Sequence, residues 1–178
     1  MRESDPKPGA PAVRLAAMNL LARREHSLHE LLDKLASRFP ELDPATGLLP
    51  VLQQLQAEGL QSDQRCAEAF ARYRSSRGIG PLRIRAELQQ RRIASDLIEA
   101  ALQQESLDWE ALCRAVFRRK FRRNEAGAGG RVDARERARW QRFLLQRGFS
   151  QGQIRVALQA GNDDPDDDFL LGPDLAED

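Results

Sequence analysis

Apolar residues return every three or four positions along most of this chain, the spacing that gathers them on one face of an α-helix. Ile84, Leu88, Ile93, Ile98 and Leu102 set out one such pattern, with a turn between its two helices. A shift of 56 positions puts Trp140, Leu144, Phe149, Ile154 and Leu158 on the same template. A backward shift of 53 puts Ser27, Leu31 and Leu35 on it. In that first copy the next helix is delayed by an apparent insertion from Phe39 to Leu48, and Val51 and Leu55 then resume the spacing.

The helix leading into each unit repeats as well. Cys66, Ala69, Phe70 and Tyr73 match Cys113, Val116, Phe117 and Lys120 at a shift of 47, and Ala16, Ala17 and Leu20 correspond to Ala69, Phe70 and Tyr73. Runs of alternating Val, Ile and Thr are missing, so strands are not expected. The pattern predicts an all-α protein of nine helices in three tandem three-helix repeats, residues 12–60, 61–105 and 106–161. A disordered arm is expected over 1–11 and an acidic disordered tail over 162–178. Each unit is too small to bury its own apolar face, so stacked neighbours, and with them an elongated, curved molecule, are expected.

Local chemistry marks the helix starts. Ser27-Leu28-His29-Glu30 and Ser150-Gln151-Gly152-Gln153 have the spacing of capping boxes, and Asp133 to Glu136 offers a similar arrangement. Phe149 and Ile154 bracket their cap as a hydrophobic staple does. Pro81 after Gly80 suits a first helical position, where its missing N–H is not needed. Gly127, Gly129 and Gly130 predict a flexible loop between Asn124 and Val132.

Composition narrows the function. Aromatic residues make up only 6% of the chain, so the core must come mainly from Leu, Ala, Ile and Val. No apolar run approaches the ~18 residues of a membrane span, so no membrane partner is expected. Cys66 and Cys113 cannot form a disulfide framework, and a reducing, cytoplasmic home is expected. The net charge of +1 hides a separation. Residues 162–178 carry eight acids and no base, whereas residues 111–147 carry twelve basic and three acidic side chains. A concentrated basic segment predicts a polyanionic partner, and the tail reads as a solvating or competing appendage.

No catalytic residue, metal or cofactor is expected. The Gly-rich loop lacks a following Gly-Lys-Ser/Thr and a preceding strand, so it reads as a linker. His26 and His29 have no Cys or carboxylate set around them and read as surface residues. Cys66 and Cys113 fall on apolar faces and read as small buried hydrophobes. Arginine stripes are the stronger signal. Arg114, Arg118 and Arg122 lie opposite the face formed by Trp109, Leu112, Cys113, Val116 and Phe117; Arg135, Arg139 and Arg142 lie opposite Trp140, Phe143 and Leu144. These six, all expected on the surface, are the candidate contacts to phosphate or to an acidic protein face.

The same segments resemble a known family. Ser27-x-x-Glu30-Leu31, then Gly59-Leu60-x-x-Asp63 with Ala67 and Phe70, then Gly78-Ile79-Gly80-Pro81-x-x-Ile84-x-x-Glu87-Leu88, is similar to the RecX pattern. Phe143-Leu144-x-x-Arg147-Gly148-Phe149, with Ile154 and Leu158, extends the likeness over residues 12–161. One departure is Ser62, where the family carries a second acid before Asp63. The resemblance implies a non-enzymatic regulator that binds the RecA filament on single-stranded DNA; a monomer without a cofactor is the expectation for this chain. The resemblance also implies inhibition of RecA ATPase, strand-exchange and co-protease activities in recombination, DNA repair and the SOS response. Some members bind DNA directly. Capping of the filament and binding in its groove both stay open. A stand-alone helical DNA-binding protein without RecA dependence is the alternative, although base readers concentrate contacts at one recognition helix rather than in long stripes. A plain helical scaffold is the third reading.

Overall fold

A computed structural model of the chain describes residues 9–121 and 133–159. The first eight positions of the expected arm, Arg122, the Gly-rich loop and the acidic tail lie outside the described residues. The described residues form nine α-helices and no strand, as the periodicity predicts. They are α1 (Ala10–Leu21), α2 (Leu28–Arg38), α3 (Leu49–Ala57), α4 (Asp63–Ser76), α5 (Pro81–Gln90), α6 (Ser95–Leu102), α7 (Trp109–Phe121), α8 (Ala134–Gln146) and α9 (Gln151–Gln159). By contact the described residues divide into two compact units, 9–69 with 88–98, and 70–87 with 99–121 and 133–159, so α4, α5 and α6 contribute to both.

In the first unit, Val13, Ala16 and Ala17 of α1 pack with Leu31, Leu35, Leu48, Leu52 and Leu55 in a core almost without aromatic residues. Helix α1 begins at Ala10, inside the arm expected to be disordered over 1–11. Gly9 precedes it and Pro11 falls in its first turn, where a proline's lost N–H has no intrahelical partner to miss. The insertion of the first copy is a turn rather than an open loop. Asp43 Oδ1 accepts from the Ala45 and Thr46 amides (3.1 and 2.9 Å), and a π-helical turn, Pro44–Leu48, runs directly into α3.

Helix α2 starts with the full capping box between Ser27 and Glu30. Its next amide, Leu28 N–H, donates to Asp63 Oδ1 at 2.8 Å. Asp63 thus caps a helix 35 residues away, while Ser62 Oγ takes over at α4 by accepting from the Arg65 amide (3.2 Å). The departure from the family pattern at Ser62 is therefore compensated locally. Ser150 and Gln153 form the reciprocal box at α9 (2.8 and 3.3 Å). Asp133 does not behave as expected. It takes the N-cap position of α8 without a side-chain bond to any amide. It is exposed, so water can satisfy its carboxylate.

In the second unit, Phe117, Phe121 and Trp140 join Leu144, Phe149 and Ile154 in one core. Four of the five pairs matched at a shift of 56 share their burial: Ile84 with Trp140, Leu88 with Leu144, Ile93 with Phe149, and Ile98 with Ile154 are all buried, whereas Leu102 is buried and Leu158 only half-buried. Backbone shape repeats as well. Arg92 (φ 56°) and Gly148 (φ 89°), also 56 apart, are both left-handed residues that end a helix. The residue after each returns its amide to the preceding turn, Ile93 to Leu88 and Phe149 to Leu144, in the manner of a Schellman cap. Arginine is poorly suited to that conformation. Arg92→Gly is expected to raise stability by about 0.5–1 kcal/mol. A urea titration checks it, and an unchanged midpoint would mean that the Arg92 side chain supplies a compensating contact.

Candidate polyanion-binding surface

Helices α7 and α8 are fixed to each other by aromatic rings. Phe117 meets Trp140 edge-on at 5.0 Å, Phe121 lies 5.7 Å from Trp140, and Phe121 meets Phe143 edge-on at 5.3 Å. These contacts explain why aromatic residues, scarce overall, collect in the third copy. Rings at such distances add directional attraction to their burial, so whatever α7 and α8 carry on their outer faces is held in one geometry.

What they carry is arginine. On α8, Arg135, Arg139 and Arg142 are exposed, as the stripe predicts. Helix α7 differs from expectation. Arg114 and Arg118 are half-buried rather than exposed, and Arg118 is engaged by a further contact. The reason is that α7 buries more than one face. Ala111, Leu112, Cys113, Ala115, Val116, Phe117 and Phe121 are all buried, because α8 and α9 both pack on this helix. A residue opposite one neighbour is then shaded by another. Arg122 lies outside the described residues. The stripes also left out Arg119, Lys120, Arg137 and Arg155, all exposed on these helices and α9. A full helical-wheel count of exposed bases, rather than i, i+4 lines alone, is the signal that includes them.

The ion pairs among the described residues are concentrated away from this surface. Elsewhere many arginines are neutralised, although Arg23, Arg38, Arg72 and Arg92 are not: Arg14 pairs with Glu58 (2.6 Å), Arg65 with Glu25 (2.9 Å), and Arg85 with Glu99 (2.7 Å). Arg74 and Arg83 share Glu87 (2.6 and 3.1 Å), and Arg24 and Arg91 share Glu30. In contrast, Arg114, Arg135, Arg137, Arg139, Arg142 and Arg155 form no ion pair with any described residue. Unpaired guanidinium groups on rigid helices suit phosphate oxygens or carboxylates in a partner.

The remaining candidates resolve into structural parts. Cys66 and Cys113 are buried free thiols, and burial pushes each thiol up to about 12. Such a thiol stays protonated and is a poor nucleophile. His26 is not a surface residue as expected. It is 3% exposed. Its Nδ1 lies 3.0 Å from the Arg24 carbonyl, and its own carbonyl accepts from Gln61 Nε2 at 3.1 Å. Gln61 also donates to Asp63 (2.8 Å), so the turn before α2 is tied to the start of α4, and that tie buries the ring. Burial holds the His26 pKa below its ordinary value. Among the described residues no three His, Cys, Asp or Glu side chains converge as a metal site would require, and no helix is long and apolar enough to cross a membrane.

Comparison with known proteins gives a consistent picture. Residues 62–102 match the second three-helix domain of RecX and residues 108–158 match the third. The chain is 46% identical to the regulatory protein RecX of Halorhodospira halophila, over 86% of this chain and 90% of that protein. It is 46% identical to the regulatory protein RecX of Pseudomonas savastanoi pv. phaseolicola, over 86% and 94%. The crystal structure of RecX from Lactobacillus salivarius has a similar fold, with a TM-score of 0.69 at 21% identity, covering 84% of this chain and 94% of that one.

Proposed function

The chain belongs to the RecX family of regulatory proteins, and from that premise we propose that it binds the RecA filament on single-stranded DNA and restrains it. In this reading it is a cytoplasmic, non-enzymatic monomer built as three repeats, residues 12–60, 61–105 and 106–161. The third repeat presents the contact surface, with Arg114, Arg118, Arg135, Arg139 and Arg142, and Arg122 beyond the described residues. The observation that carries the proposal is the set Arg114, Arg135, Arg139 and Arg142 on α7 and α8, which form no ion pair with any described residue. A RecA–DNA filament offers both acidic protein surface and phosphate, and bound regulator lowers ATPase, strand exchange and co-protease activity by opposing filament growth or stability.

The test compares three targets under one buffer: RecA assembled on single-stranded DNA, the same DNA bare, and RecA alone. Tightest binding to the filament, with a matching fall in RecA ATPase, is the expected result. Equal affinity for bare DNA would replace the proposal with a stand-alone DNA-binding protein, which the same unpaired arginines suit. Binding to none of the three would leave a helical scaffold.

A further inference from the structure

An open groove of about 700 Å³ runs between α8 and α9, lined by Arg137, Gln141 and Leu145 on one side and Arg155, Leu158 and Gln159 on the other. Its chemistry is mixed in a particular way. Leu145 is a large apolar side chain left 45% exposed. Arg137 and Arg155 are exposed and form no ion pair with any described residue. Two free cations beside an apolar strip fit an extended acidic segment interrupted by apolar residues.

This chain carries such a segment, Asp163-Asp164-Pro165-Asp166-Asp167-Asp168-Phe169-Leu170-Leu171. It begins four residues after Gln159, the last residue of α9 and itself part of the groove wall. We propose that residues 163–171 dock back into the α8–α9 groove of their own molecule. The aspartates lie against Arg137 and Arg155, and Phe169 to Leu171 cover Leu145 and Leu158. Reach is sufficient. The ten residue steps from Gln159 to Phe169 span about 16–19 Å as a flexible coil, longer than the ~13 Å axial length of a nine-residue helix such as α9. Charge alone would not hold the segment, because attraction between exposed groups is screened beyond about 8 Å at physiological salt. The apolar triplet gives it a fixed seat. Its own tail is favoured over a second copy's, because a short tether supplies an effective concentration on the order of millimolar.

The regulatory consequence, that the docked tail competes with an incoming polyanion for the basic surface, rests on the function proposed above. The docking does not, and its test uses neither RecA nor DNA. A fluorescent peptide of residues 160–178 is titrated with the full chain and with a chain ending at Gly161. The shortened chain should bind it about tenfold more tightly, since the full chain's own tail already fills the groove. R137E/R155E in the shortened chain should remove the binding. Should the shortened chain fail to fold by circular dichroism, the full chain carrying F169S/L170S/L171S replaces it and should show the same gain. Equal affinity of peptide for free and tail-bearing chains, or no binding by a folded chain with an empty groove, overturns the proposal. A concentration-dependent dimer that disappears on truncation also overturns it, by assigning the groove to a neighbouring copy's tail.

Discussion

Gly148→Ala is expected to destabilise the protein by about 3–4 kcal/mol, a large part of the ~5–15 kcal/mol that holds a small domain folded. Two effects add. Gly148 sits at φ 89°, where a Cβ costs about 1–2 kcal/mol. A Cβ there would also lie 2.4 Å from Arg83 Cβ and 2.6 Å from Arg83 N, and forcing atoms into so tight a contact costs a further ~1–3 kcal/mol. The closeness has a purpose. The Gly80 and Leu82 amides, at the start of α5, donate to the Arg147 and Gly148 carbonyls at the end of α8 (2.8 and 2.9 Å). Helix starts have spare donors and helix ends have spare acceptors, and here each satisfies the other. Arg147 reinforces the joint by donating to the Arg77 carbonyl (3.2 Å) while its guanidinium lies over Phe143 (5.2 Å). Gly80→Ala separates the two effects. Its Cβ would meet the Gly148 carbonyl at 2.5 Å without any left-handed strain, so its loss should be the smaller by about 1 kcal/mol. Urea midpoints for both variants measure this. A Gly148→Ala loss below about 1 kcal/mol would show that the joint yields at little cost.

Much of this was readable from spacing, because it is local. The shift of 56 located the buried pairs Ile84 with Trp140 and Leu88 with Leu144, and residues three apart marked the caps at Ser27 and Ser150. The motif Gly80-Pro81-x-x-Ile84-x-x-Glu87-Leu88 was recognisable as a pattern, and the fold now assigns its parts. Pro81 opens α5, Ile84 and Leu88 fill the core, and Glu87 holds Arg74 and Arg83. The role of Gly80 was hidden, because its reason is Gly148, 68 residues on. The cap that Asp63 supplies to α2 and the burial of His26 were hidden in the same way, by partners 35 residues distant. Half-burial of Arg114 and Arg118 shows a second limit. Periodicity identifies the face toward a helix's main neighbour, but it does not count the neighbours, and α7 has two.

That limit decides which arginines to test. Arg135→Ala, Arg139→Ala and Arg142→Ala together are expected to weaken binding to the RecA–DNA filament while leaving the fold intact. All three are exposed, and the only described contact among them is a local one, Arg142 Nε–H to the Ala138 carbonyl at 3.3 Å. Surface changes of this kind move stability by about 0.5 kcal/mol or less. The corresponding α7 set is a poorer probe, since removing half-buried Arg114 and Arg118 disturbs packing as well as charge. The informative quantity is the salt dependence. Each phosphate contact on single-stranded DNA contributes about 0.7 to the slope of log affinity against log salt. Three lost contacts should flatten that slope by about 2, so the variant loses roughly twentyfold less affinity than the parent between about 50 and about 200 mM salt. Affinity lost without a change in slope would assign these arginines to acidic groups of RecA rather than to DNA. Unchanged affinity and unchanged inhibition of RecA ATPase would move the contact surface off α8 altogether.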